Sequence, residues 1–141
     1  MFASMSNAAA AYGRIGTDMQ VETADPHKLI LMLFEGAKMS VASASMQYRQ
    51  GQLTEMSKAI SKAIDIIANG LKACLDFKAG GDLSERLAAL YDYMCARLQD
   101  ANLKGNAAAF DEVAHLLGEL GSAWEEIANN PRAHPTNQPI A

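Results

Sequence analysis

Apolar residues recur along this chain in steps of three and four, in four blocks separated by glycine and proline. The series Phe110, Val113, Leu117, Leu120, Trp124 and Ile127 keeps that alternation without a break, which lays one apolar stripe along an α-helix. Met56, Ile60, Ala63, Ile64, Ile67, Leu71 and Cys74 repeat it upstream. Leu83, Leu87, Leu90, Met94, Leu98 and Ala101 do so between these two blocks, and Ile30, Phe34, Ala37, Val41, Ala44 and Tyr48 near the start. These positions are the expected core. Gly51, the pair Gly80-Gly81, Gly105 and Pro131 punctuate the pattern, each close to a residue able to cap the next helix. Helices are therefore expected over 26–50, 54–78, 82–104 and 106–128. Asp25-Pro26, Thr54, Asp82 with Glu85 in a capping-box spacing, and Asn106 would open them. At about 1.5 Å per residue each is roughly 30 to 37 Å long. Matched lengths joined by short connections describe an all-α fold, an antiparallel up-and-down four-helix bundle.

The entry into the first helix, Thr23 to Ala37 (TADPHKLILMLFEGA), divides two kinds of chain. Asp25 can accept from free backbone N–H groups and Pro26 suits the first helical position, where no N–H is needed. The apolar run Leu29 to Phe34 that follows is too long for a surface helix and too short to span a bilayer. Before it, residues 1–24 mix Ala, Ser and Gly with spaced anchors such as Phe2, Tyr12, Ile15, Met19 and Val21, the composition of a mobile N-terminal arm able to dock on a surface. Residues 129–141 carry Pro131, Pro135 and Pro139 among polar neighbours, and read as a disordered tail.

Composition narrows the class further. A chain of 141 residues makes one domain. Half of it is apolar and only 6% aromatic, which favours helix over sheet. A net charge of −4 with no Lys/Arg cluster argues against a nucleic-acid partner. The N-terminus lacks the basic and apolar regions of a signal peptide, and no apolar run reaches membrane length, so the expectation is a cytoplasmic protein with no membrane insertion. Cys74 and Cys95 have no metal spacing and are expected to be free thiols.

Function is sought outside the core stripes. Met32, Met39 and Met46 recur every seven residues on the first helix, nearly opposite Ile30, Ala37 and Ala44. Flexible methionines suit an outward surface that accepts a partner with imperfect complementarity. The alternatives are a helix buried on both faces, or a stripe covered by the arm. On the second helix Ala59, Ile66, Gly70, Ala73 and Phe77 form a further seam, matched by Ala107, Ala114, Gly118 and Gly121 on the fourth. A glycine inside a helix costs about 1 kcal/mol against alanine. Gly70, Gly118 and Gly121 thus require either close helix packing or a groove for a partner helix.

Catalytic motifs are sparse. Glu112 and His115 give a single Glu-x-x-His, and with Val113 and Leu117 inward both point away from the bundle interior, which rules out an interior metal site. Ala114 to Gly118 (AHLLG) faintly resembles the motif of histidine phosphotransfer bundles, but Gly118 and Glu119 stand where a basic residue is expected. A carboxylate there repels a phosphoryl group. His27 is most simply a polar residue of a first helical turn. No Walker loop, dinucleotide fingerprint or HExxH occurs, and no cofactor or enzymatic activity is expected.

Tyr12 in its Ala-rich arm, TADPHKLILMLFEGA, KAIDIIANGLKACLD (Lys62 to Asp76), LYDYMCARLQDAN (Leu90 to Asn102) and LLGELGSAWEEI (Leu116 to Ile127) together resemble the flagellar secretion chaperones of the FliS family. The resemblance runs in order from about residue 9 to 128. It implies a cytoplasmic helical bundle that binds the disordered C-terminal region of flagellin, blocks premature polymerisation and aids delivery to the export apparatus, including its export-gate component. It also implies that Tyr12 and Ile15 anchor the arm. Tyr91, Tyr93, Arg97 and Asn102 match the family block. Of these, Tyr93 and Arg97 lie on a flank where they could hold either a loop or a client, and a structural role is the simpler reading for all four. Gly121 stands where related sequences often have a longer side chain. Whether the chain is a monomer or a weak homodimer is left open.

Overall fold

In the computed structural model, which describes residues 25–129, every element is helical. Helix α1 covers Pro26–Arg49, α2 Leu53–Ile66, α3 Phe77–Lys104 and α4 Ala107–Asn129. A π turn, Ile67–Leu71, and a 3-10 turn, Lys72–Cys74, prolong α2. Helix α1 packs between α2 and α4, and α3 closes the ring against both of them. This is the antiparallel up-and-down four-helix bundle that the periodicity predicts.

The start of α1 follows its sequence. The Lys28 backbone N–H donates to Asp25 Oδ1 at 2.8 Å, and Pro26 occupies the first turn. At the far ends of α1 and α3 the chain turns at Gly51 (φ 74°) and Gly105 (φ 69°), left-handed conformations that cost glycine least.

The second and third helices depart from expectation. Helix α2 begins at Leu53 behind Gln52, whose side chain makes no capping bond; Thr54, expected as the cap, is exposed inside the first turn. Regular α geometry stops at Ile66 instead of continuing to residue 78. A π turn spends more residues per rotation than an α turn. Ile66 with Gly70 and Ile67 with Leu71 form two adjacent i,i+4 rows, and all four residues are buried. Helix α3 starts at Phe77 and not at Asp82, because the Asp76 carboxylate already accepts the N–H groups of Lys78 and Ala79, each at 3.0 Å. These two backbone bonds hold the Asp76 carboxyl below its ordinary pKa. Gly81 then breaks the helix at φ 51°, ψ −127°, a conformation open essentially to glycine. The Ser84 hydroxyl folds back to donate to the Asp76 carbonyl at 2.9 Å, and a Cβ on Gly80 would lie only 1.9 Å from Ser84 Oγ.

The core matches the predicted stripes with additions and one loss. Leu29 and Leu33, outside the predicted α1 stripe, are fully or nearly buried beside Phe34, Ala37, Val41 and Ala44. A helix with neighbours on two sides buries a wider arc than one stripe, which accounts for the long apolar run at its start. Leu83 was expected inside and is 51% exposed, since the Gly81 break carries the beginning of α3 away from the core. Ile30, Tyr48, Ile64, Cys74, Leu87, Leu90, Leu120 and Trp124 are half-buried against the core. By length and composition α1 is apolar enough to cross a bilayer, with a mean hydropathy of 1.3 over its most apolar window, contrary to the expectation from the short Leu29–Phe34 run. Its Leu29, Leu33, Phe34 and Val41 instead serve the bundle core.

Candidate interaction surface

Side-chain bonds fix how the helices present their outer faces. At one pole, the His27 imidazole stacks on the Trp124 indole, with ring centroids 4.3 Å apart and planes 17° from parallel. Trp124 Nε1–H donates to the His27 carbonyl at 2.9 Å, and His27 Nε2 lies 3.0 Å from the Trp124 carbonyl, so that nitrogen carries the proton. His27 therefore does more than decorate a first turn: it ties the start of α1 to the last turns of α4. At the opposite pole the Tyr48 hydroxyl donates to the Gly105 carbonyl at 2.9 Å, and Ser57 donates to Asn102 at 2.8 Å across α2 and α3.

On the α3–α4 flank Glu112 is a shared acceptor. It takes the Tyr93 hydroxyl at 2.5 Å and Arg97 Nε at 2.7 Å. These donors hold Glu112 below the usual carboxylate range, the tyrosine bond being the larger cause, and the same bond raises the pKa of Tyr93. Tyr93 and Arg97 on α3 thus both bond to Glu112 on α4 and brace the two helices. Tyr91 is buried and its phenol is pushed up chiefly by burial. Neither Cys74 nor Cys95 is in a disulfide; both are half-buried, and burial pushes each thiol up to about 11.

The predicted interaction residues fall into different environments. Met39 and Met46 are exposed, while Met32 is half-buried against the core, so the outward stripe holds for two of its three members. The small-residue seam on α2 does not form a groove. Ile66 is 0% exposed, Gly70 is buried, Ala59 packs against the core, Ala73 is half-buried, and Phe77 alone is exposed, on the first turn of α3. The cause is that α2 packs against both α1 and α3, so its buried arc is wider than one stripe and takes in Ile66 and Gly70. On α4, Gly121 is buried, and a Cβ there would meet Phe34 Cβ at 3.3 Å. Close packing of α1 on α4 explains this glycine, as it explains why a longer side chain has no room here. Gly118 instead lies on a shallow open groove with Lys38, His115, Glu119 and Ser122. Ala114 is half-buried and Ala107 exposed. Tyr12 and Ile15 lie outside the described residues.

Exposed apolar residues that the periodicity did not single out include Leu53 and Leu103, together with the displaced core candidate Leu83. The signal for Leu83 was its place two residues after the Gly80-Gly81 pair. His115 is exposed and its Nε2 lies 3.5 Å from the Glu119 carboxylate, so a negative charge occupies the approach of any phosphoryl group. Among the described residues no group of three or more His, Cys, Asp or Glu side chains could hold a metal ion.

The model of the family described as "Flagellar protein FliS" matches residues 7–131. The chain belongs to the FliS family. It is 44% identical to the flagellar secretion chaperone FliS of Salmonella typhimurium over 118 residues, which cover 84% of this chain and 87% of that one. Over 121 residues it is 36% identical to the Escherichia coli flagellar secretion chaperone FliS, covering 86% of this chain and 89% of the other. The Pseudomonas aeruginosa chaperone FliSB shares 39% identity over 84% of this chain and 93% of its own. In this FliS-family bundle the poles and the α3–α4 flank are thus clamped by side-chain bonds. Among the described residues the large exposed apolar groups left over are Met39 and Met46 on α1, Phe77 and Leu83 around Gly81, and Leu53 and Leu103 at the Tyr48 pole.

Proposed function

We propose that this chain is a cytoplasmic, non-catalytic export chaperone that binds the disordered C-terminal region of flagellin. It keeps flagellin from polymerising prematurely and aids its delivery to the export-gate component of the flagellar type III apparatus. The observation that carries this reading is the family match across residues 7–131, together with three relatives named flagellar secretion chaperones. A client that is disordered before binding gains order and buried area together, and it needs apolar footholds on a scaffold that does not itself rearrange. Phe77 at 52% and Leu83 at 51% exposure are such footholds, set on either side of the Gly81 break. The placement replaces Ile66, which no client can reach without opening the core.

The test is calorimetric titration with flagellin and with flagellin lacking its C-terminal region. Wild type is expected to bind the first and not the second. The Phe77→Glu/Leu83→Glu variant is expected to bind roughly tenfold more weakly with unchanged helical circular dichroism. Unchanged affinity in that variant would remove the client from this end of the bundle; equal binding to both flagellins would overturn the C-terminal specificity.

A further inference from the structure

The first turn of α3 is folded back on the helix it opens. In an unbroken α-helix Asp76 and Ser84, eight positions apart, would stand about 12 Å from each other along the axis. Instead the Ser84 hydroxyl donates to the Asp76 carbonyl at 2.9 Å across the Gly81 break, and Ser84 is only 5% exposed. The folded-back turn, Phe77 to Gly80, is too short to hold a helical conformation alone. The Asp76 carboxylate holds the Lys78 and Ala79 N–H groups, and the Asp76 carbonyl accepts both the Gly80 N–H, at 2.7 Å, and the Ser84 hydroxyl. Just beyond the break the chain carries a second set of start signals. Asp82 and, three positions on, Glu85 have capping-box spacing. Both are exposed, and among the described residues neither side chain makes a hydrogen bond or an ion pair. Between the two starts stand Gly80 and Gly81, the residues that the folded-back turn requires and that an unwound link tolerates.

We propose that α3 has two alternative starts and switches between them. In the closed state, the one in the structure, Asp76 caps the turn Phe77 to Gly80 and Ser84 locks it. In the open state that turn is unwound, α3 begins at Asp82 with Glu85 completing the capping box, and residues 77–81 form an extended link. The two states trade comparable contributions. Opening gives up the Asp76 cap and the Ser84 bond; it forms the Asp82 cap and releases two glycines, whose conformational freedom makes them costly to hold in place. The open state is therefore a minor but populated one. Opening separates Phe77 from Leu83, so the switch decides whether this end of the bundle presents one apolar surface or two independent groups. The switch belongs to the free chain and does not rest on the client-binding reading.

Amide hydrogen exchange of the full chain without flagellin, followed residue by residue by NMR, tests it, because the Lys78, Ala79 and Gly80 amides exchange when the turn opens. Ser84→Ala removes a bond of the closed state alone and should speed these three amides roughly fivefold. Asp82→Ala discriminates most sharply. Asp82 bonds to nothing in the closed state, so if the turn merely frays, its removal leaves the three amides unchanged. With two starts, the substitution weakens the open state and should slow them roughly fivefold. Asp82→Asn loses the charge but keeps a capping oxygen, and should stay within about twofold of wild type. The amides of Met94 to Leu98 are the control and should not move in any variant; circular dichroism checks that each stays folded. Unchanged or faster exchange of the turn in Asp82→Ala overturns the proposal. So does an Asp82→Asn that slows exchange as much as Asp82→Ala, and so does a Ser84→Ala that leaves the turn as protected as in wild type.

Discussion

Helix α1 and the segment from Ile67 to Leu90 are both rich in apolar residues, yet one is a strut held between two neighbours and the other an open end. Helix α1 is capped where its sequence says, is continuously α-helical, and buries Leu29, Leu33, Phe34, Ala37, Val41 and Ala44 between two neighbours. Between Ile67 and Leu90 the chain passes through a π turn, a 3-10 turn, a capped turn and a glycine break, and it leaves Phe77 and Leu83 half exposed. Apolar content alone does not decide burial: a helix needs neighbours on both sides, and backbone irregularity withdraws them. A surface that holds a disordered client is best placed where the core is already closed by other elements.

The comparison is broken most severely at Leu33. Truncation by Leu33→Ala should cost about 2–5 kcal/mol by leaving a cavity between α1 and its neighbours. Urea unfolding at neutral pH measures it, and a loss under about 1 kcal/mol would mean that α1 is not the strut described. Gly81→Ala comes next, expected to cost about 1–3 kcal/mol because an alanine must hold a backbone conformation that L residues avoid. A neutral Gly81→Ala would show that the break straightens at little cost. Gly118→Ala sharpens the contrast in the other direction. A Cβ there meets only Lys38 Nζ, at 3.8 Å, so the gain in helix propensity should stabilise the chain by about 0.5–1 kcal/mol. If flagellin affinity nevertheless falls, the shallow groove between α1 and α4 holds part of the client.

Acid provides the mildest probe, and it acts on the α3–α4 brace. Glu112 is held below its ordinary pKa by Tyr93 and Arg97. A carboxylate whose folded pKa is depressed contributes stability that is present above its unfolded pKa, about 4.3, and is lost as pH falls through the folded value. Wild type and Glu112→Gln should therefore differ in urea midpoint near neutrality and converge as the pH drops below that range. Parallel curves would assign the acid sensitivity to other carboxylates.

Much of this molecule is legible without coordinates because the signals are local. Asp25-Pro26 states where α1 starts, Gly51 and Gly105 state where helices end, and the three-four spacing of Phe110, Val113 and Leu117 states which face of α4 turns inward. The family blocks, being contiguous strings, are legible in the same way. The seam through Ile66 and Gly70 misled because α2, like α1, has neighbours on two sides and buries a wider arc than one stripe, and no local signal in the sequence reports the second neighbour. Asp76 and Asp82 are both competent caps by residue type, and the Asp76 carboxylate takes the role by accepting from Lys78 and Ala79.

By itself, then, the sequence determined the number of helices, their order, most of the inward faces and the family, because capping, glycine conformation and periodicity act within a few residues. Tertiary structure alone decided that α1 buries a wide arc, that Gly121 is a contact with Phe34 while Gly118 lies open, and that His27 locks to Trp124 across 97 positions. Those outcomes depend on which helix lies beside which and at what rotation, quantities set by the packing of the whole bundle and carried by no single stretch of chain.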